Sequence, residues 1–284
     1  MSERGRAGSD RVLRLTDGRR VQFLDLGDPH GMPLVSCHGG LSSRLDVLPA
    51  ADVAAARGVR LVAPDRPGVG GSDRRPGRTL LDWPADVAEL TERLGIERFA
   101  VMGWSLGGPY AMACARALEE RVSALGVVAG TVPGTWPGMA DEVNRLDRVL
   151  LRLSEGHPHL ERSIFHLLHA TAEHAPRVLA KQSGLSGPVA HDVTTAIAEG
   201  LTHVDGMLDE YRIFDAPWGF EPGEIATPAH FWQGTADELV PEAWGRRLAG
   251  AVPGASLHLV EGGTHFLWYE HWTDILSTMA SSGP

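Results

Sequence analysis

The feature that most restricts the fold of this 284-residue chain is an alternation of short β-branched apolar runs with helical runs. Met32–Gly40 reads as a buried strand that ends in glycines, and Val59–Asp65, Arg98–Trp104 and Val122–Gly130 read as further strands. Helical stretches separate them at about Arg44–Ala56, at Leu81–Leu94 with Gly95 as its C-terminal cap, and after Pro109. Such alternation specifies an α/β fold built on a mostly parallel sheet. Val12–Asp28, with the turn Asp17-Gly18 at its middle, adds an antiparallel entry hairpin. From Val132 the strand-like runs vanish and helices follow one another. Strands resume at Ala229–Gly234 and Ser256–Gly263, before a last helix at about Leu267–Met279. The organisation expected is a core of residues 1–131 and 228–284, with a helical cap, residues 132–227, inserted into it.

Composition narrows the function classes. The net charge is −10, with no basic face along the chain, which argues against nucleic acid as a partner. No apolar run is long enough to span a bilayer, and the N-terminus, MSERGRAGSD, lacks the apolar stretch of a signal peptide. Cys37 and Cys114 lie in apolar segments and read as buried thiols of a reducing compartment. The expectation is a cytoplasmic protein with no membrane partner.

Chemistry concentrates at the ends of the strands. Gly103-Trp104-Ser105-Leu106-Gly107 stands between a strand and a helix. A nucleophile lifted on so tight a turn needs glycine on either side, where side chains would strike the neighbouring strand and helix. The helix that follows aims free N–H groups at the reaction site. The competing reading is a serine that merely caps the helix. A serine hydroxyl needs a base. Of 13 histidines, His265 alone combines a Gly-rich loop directly after the last strand with a place beyond a candidate acid. That acid is Asp237, after the strand Ala229–Gly234, with Glu238 as runner-up. The order Ser, Asp, His suits a nucleophile elbow. An oxyanion hole needs two N–H donors; Leu106 supplies one, and the His38-Gly39-Gly40-Leu41 segment the other, through Gly40 or alternatively Leu41. His38 reads as the anchor of that loop, and the glycines, Gly39 included, let backbone approach a substrate.

These residues resemble the α/β-hydrolase family over nearly the whole chain. The motifs carrying the likeness are HGG at 38–40, DRPGVGGSD at 65–73, GWSLGG at 103–108, GTADELVP at 234–241 and GGTHF at 262–266. The resemblance implies eight strands and a cap inserted after the sixth. It also implies that Asp65, Arg66 and Ser72 belong to a structural turn. Serine at position 105 argues against the haloalkane dehalogenase and epoxide hydrolase branches, which need a carboxylate there. Departures from the proline iminopeptidase motifs rank a peptidase low.

Between Val132 and Thr227 there are 14 acidic and 7 basic residues, a balance of −7. This counts against a polyanionic substrate, although a helical insertion often carries such charge on its solvated face. His166 and His169 share a helical face, but no acid or cysteine completes a metal set, so neither metal nor cofactor is expected. Trp104, Trp136 and Trp218 suggest an apolar substrate pocket. The function expected is a serine hydrolase acting on an ester-type or carbon–carbon bond of a small, largely apolar molecule. Its alternatives are a non-hydrolytic enzyme (perhydrolase, lyase or cyclase), a proline iminopeptidase-like peptidase, and a binding protein with a residual triad. A homodimer is left open.

Overall fold

The computed structural model describes residues 8–182 and 185–282, so most of the N-terminal stretch read for a leader lies outside the described residues. The strands are β1 (Gly8–Arg14), β2 (Arg20–Gly27), β3 (Met32–Cys37), β4 (Val59–Pro64), β5 (Phe99–Trp104), β6 (Val122–Val128), β7 (Ala229–Gly234) and β8 (Ser256–Val260). They form one sheet in the order β1-β2-β4-β3-β5-β6-β7-β8. β2 runs antiparallel to β1 and to β4, and every other pairing is parallel. The eight-stranded, mostly parallel sheet expected from the sequence and its resemblance is the one observed.

The helices are α1 (Ala51–Ala56), α2 (Trp83–Arg93), α3 (Gly107–Ala117), α4 (Met139–Glu142), α5 (Arg145–Gly156), α6 (Pro158–His174), α7 (Pro176–Gln182), α8 (Gly187–Gly200), α9 (Val204–Asp215), α10 (Glu242–Ala251) and α11 (Trp268–Ser281). β5 and β6 are buried along their whole length because helices cover both faces of the sheet. Alternation along β5 divides the core. Ala100 and Met102 pack with α1 and α11, while Val101 packs with α2, α3 and α10. The single helix expected at residues 44–56 is instead a 3-10 helix, Arg44–Ala50, followed by α1. Pro49 has no N–H to donate to the turn before it, which accounts for the break.

Helices α4 to α9 lie between β6 and β7. Two of them dock on core loops at backbone distance. A Cβ on Gly206 of α9 would stand 1.8 Å from the Gly68 carbonyl oxygen, and one on Gly200 of α8 would stand 2.4 Å from that of Ser42. Ion pairs fasten the same two helices, Arg44 to Glu199 at 2.8 Å and Arg74 to Asp209 at 2.6 Å. Among the described residues no helix is long and apolar enough to cross a membrane. Cys37 and Cys114 are both buried and free.

The docking of α9 leaves no room for a methyl group. Gly206→Ala is expected to lower stability by about 1–3 kcal/mol in urea unfolding. An unchanged midpoint would contradict that close approach.

Candidate active site

Ser105 follows β5 with φ of 54°, in the left-handed region where a residue with a Cβ is strained by about 1–3 kcal/mol. Its N–H donates to Val128 O at 2.9 Å, and its carbonyl accepts from Gly108 at 2.9 Å and Thr131 at 3.3 Å. The flanking glycines are demanded by backbone. A Cβ on Gly103 would lie 2.1 Å from Gly107 O, and one on Gly107 would lie 2.0 Å from Cys37 O. The serine is therefore held half-buried on a turn between β5 and α3, wedged against the end of β3.

His265 lies on the loop after β8 and Asp237 on the loop after β7. Their side chains meet, Nδ1 to Oδ2, at 2.9 Å. The other Asp237 oxygen accepts from the N–H groups of Leu239 and Val240, both at 2.8 Å. The two loops are stitched together by Ala236 N–H to Gly263 O at 2.9 Å and Gly262 N–H to Thr235 Oγ1 at 2.8 Å. With Nδ1–H donating to the carboxylate, Nε2 is left as the acceptor a general base requires. A Ser105–His265 hydrogen bond is not formed in the structure. The two are instead joined through Trp104, whose Nε1 donates to His265 O at 2.9 Å.

The second loop expected to serve the site lies directly alongside. A Cβ on Gly40 would sit 3.3 Å from the Leu106 side chain, so the two candidate oxyanion donors are neighbours. The N–H groups of Gly40, Leu41 and Leu106 have no acceptor among the described residues. Leu41 shares the left-handed strain, at φ of 53°.

The other residues read for the site are largely packed within the fold. The Gly39 N–H donates to Asp46 at 3.1 Å, and a side chain there would strike the Trp104 ring at 2.5 Å. Trp104 is 5% exposed and stacked on Trp268 at 4.8 Å, beneath the His265 loop. Trp218 is 4% exposed and packs against Phe220. Both rings fill the core, because apolar area this large is buried wherever neighbours allow. Trp136 is half-buried with the Arg247 guanidinium over its ring at 4.3 Å. His169 is turned to Ala198 O at 3.1 Å, and no group of three or more metal-ligating side chains occurs among the described residues.

A family model for the alpha/beta hydrolase fold matches residues 32–271. The chain belongs to the α/β-hydrolase family. A 2-hydroxy-6-oxononadienedioate/2-hydroxy-6-oxononatrienedioate hydrolase of Pseudomonas putida is 28% identical over 294 residues, covering 93% of each chain. Haloalkane dehalogenase 2 of Mycobacterium tuberculosis is 31% identical over 164 residues, covering 55% of this chain and 54% of its own. The solved enol-lactonase of Burkholderia xenovorans LB400 shares the fold with a TM-score of 0.72 at 18% identity, over 96% of this chain and 99% of its own.

Around the site of this α/β-hydrolase, two buried carboxyl groups sit in opposite states. Burial pushes Asp46 up to about 8, so it is protonated at neutral pH while Oδ2 accepts from Gly39 N–H and, at 3.4 Å, Ser42 Oγ. Burial also acts on Glu210 of α9, but the guanidinium groups of Arg66 and Arg78 overcome it and hold the acid down at about 2. His38 is kept well below the usual imidazole range by burial and by Arg66. It is neutral, with Nδ1–H on Gly39 O at 2.9 Å and Nε2 accepting from Arg66 N–H at 3.2 Å. Sequence reading put Arg66 in the scaffold and passed over Asp46 and Glu210. A signal existed for Glu210: it is an acid at helical spacing among Met207, Tyr211 and Phe214, on a face that is otherwise apolar.

Because Asp46 has its folded value raised above the unfolded 3.8, its contribution is complete below that pH and is lost as pH rises toward 8. Asp46→Asn, which cannot ionise, should therefore gain on the wild type between pH 4 and pH 8 and then keep a constant margin. Urea unfolding of both proteins at pH 5, 7 and 9 measures this; a difference independent of pH would show that Asp46 is already ionised in the fold.

Proposed function

We propose that this protein is a serine hydrolase that cleaves an ester-type bond, whether carboxylic ester, lactone or thioester, in a small, largely apolar acyl substrate. Ser105 Oγ attacks the acyl carbonyl while His265 Nε2 takes its proton. His265 then delivers that proton to the leaving group, and Asp237 holds the ring and stabilises the imidazolium. The N–H groups of Gly40 and Leu106 receive the developing oxyanion. Water, deprotonated by His265, hydrolyses the acyl-enzyme and frees Ser105.

One observation carries the reading. Ser105 is held in a strained left-handed turn, at the strand edge where Asp237 and His265 are already paired at 2.9 Å. A serine that only capped α3 would need neither the strain nor the pair. Serine at that turn also speaks against haloalkane dehalogenation, so the likeness to that relative is read as one of scaffold. The acidic cap favours an uncharged substrate.

A second reading rests on the Pseudomonas putida relative, which covers 93% of both chains. It is hydrolysis of a 2-hydroxy-6-oxo dioate of the kind in that relative's name. The −7 balance of the cap counts against so anionic a substrate.

Mass spectrometry after fluorophosphonate treatment, together with turnover of short p-nitrophenyl esters, tests the first reading. The expected result is a single adduct on Ser105, and a loss of turnover in Ser105→Ala on the order of 10⁴-fold or more. Full turnover by Ser105→Ala would sink it.

A further inference from the structure

The carboxylate of Glu210 reaches from the cap into the base of the proposed site. It is fully buried, as is Arg66. Its Oε2 accepts from Arg66 Nε at 2.8 Å and from Nη2 at 2.7 Å. Its Oε1 accepts from Tyr110 Oη at 3.0 Å and from Arg78. Arg78 also donates to Tyr110 Oη at 2.9 Å.

The partners of Glu210 lead to both segments that carry the proposed oxyanion donors. Tyr110 belongs to the first turn of α3, just beyond Leu106. Arg66 lays its guanidinium over the Tyr110 ring at 4.5 Å and directs two further donors to the oxyanion loop, one to His38 O and one to Gly39 O at 3.1 Å. The Gly39 carbonyl and the Gly40 N–H are the two ends of one planar peptide. Two donors on that carbonyl, Arg66 Nη2 and His38 Nδ1, fix the direction of the Gly40 N–H. A cation on the oxygen also polarises the amide and strengthens its N–H as a donor.

We infer that Glu210 is a positioning residue for the oxyanion hole. By aiming Arg66 it sets and polarises the Gly39–Gly40 peptide, and through Tyr110 it ties that peptide to α3, so the seating of α9 and the assembly of the hole are one event. This rests on the serine-hydrolase reading. A buried ion pair is a poor source of stability compared with apolar packing, so fastening the cap does not by itself account for a carboxylate and two guanidinium groups here. Fastening is also supplied by the neighbouring residue: Asp209 binds Arg74 through both carboxylate oxygens, at 2.6 and 2.8 Å, without touching the oxyanion loop.

The test compares Glu210→Gln with Asp209→Asn, each assayed on a p-nitrophenyl ester with active sites counted by fluorophosphonate titration. Glu210→Gln is expected to lose about 10- to 100-fold in kcat per titrated site, less than deletion of an oxyanion donor, with KM within about twofold. Asp209→Asn should stay within about twofold in both. Equal kcat values in Glu210→Gln and the wild type would overturn the inference, as would equal losses in the two variants, which would mean that loosening α9 is what matters. If Glu210→Gln does not fold, Glu210→Asp replaces it, keeping the charge but not the reach, with the same two outcomes. A wild type that takes no adduct on Ser105 would instead overturn the underlying reading, and this inference with it.

Discussion

The turn from β5 into α3 is the constraint on which the rest of the structure depends. A strand that must stop, present a side chain and become a helix within two residues cannot do so with an ordinary backbone. Ser105 takes the left-handed strain, and Gly103 and Gly107 give up their side chains so that backbone from β3 and α3 can close in. Because Gly107 is pressed against Cys37 O, the loop that follows β3 must begin beside the serine. That loop is the one bearing Gly40. The meeting of the Ser105 turn and the Gly40 loop is thus built into sheet order, with β3 and β5 as parallel neighbours.

A second layer of order comes from buried charge. Asp46 and Glu210 are both carboxyl groups buried near the loop that follows β3, yet their surroundings drive them in opposite directions. Asp46 faces a backbone N–H and a hydroxyl and stays protonated; Glu210 faces two guanidinium groups and stays ionised. Asp46 holds the N–H of Gly39, and Arg66, steadied by Glu210, holds its carbonyl. The peptide units leading to Gly40 are gripped from both sides by buried groups.

What the sequence made legible follows from the range of the interactions. The sheet, its parallel majority and the helical stretch between β6 and β7 could be read because local periodicity writes them into consecutive residues. Ser105, Asp237 and His265 were singled out as candidates because each lies on the segment that follows a strand, so topology delivers them to one edge of the sheet. The break at Pro49 was visible too, but the helical pattern on either side hid it. The burial of the tryptophans was hidden for a different reason. Composition says that an indole is apolar but not which apolar space it fills, and Trp104 serves beneath the His265 loop. Arg66 and Glu210, 144 positions apart, could not be paired from sequence, since no local pattern in DRPGVGGSD points to one acid in a distant helix.

The most direct measurement is a crystal structure of the protein after reaction with a phosphonate ester, whose tetrahedral phosphorus imitates the attacked carbonyl. Phosphorus should be bonded to Ser105 Oγ, with its phosphoryl oxygen about 3 Å from the amide nitrogens of both Gly40 and Leu106. Phosphorus on another residue, or a phosphoryl oxygen turned away from these two amides, would contradict the account of how this turn and this loop make an active site.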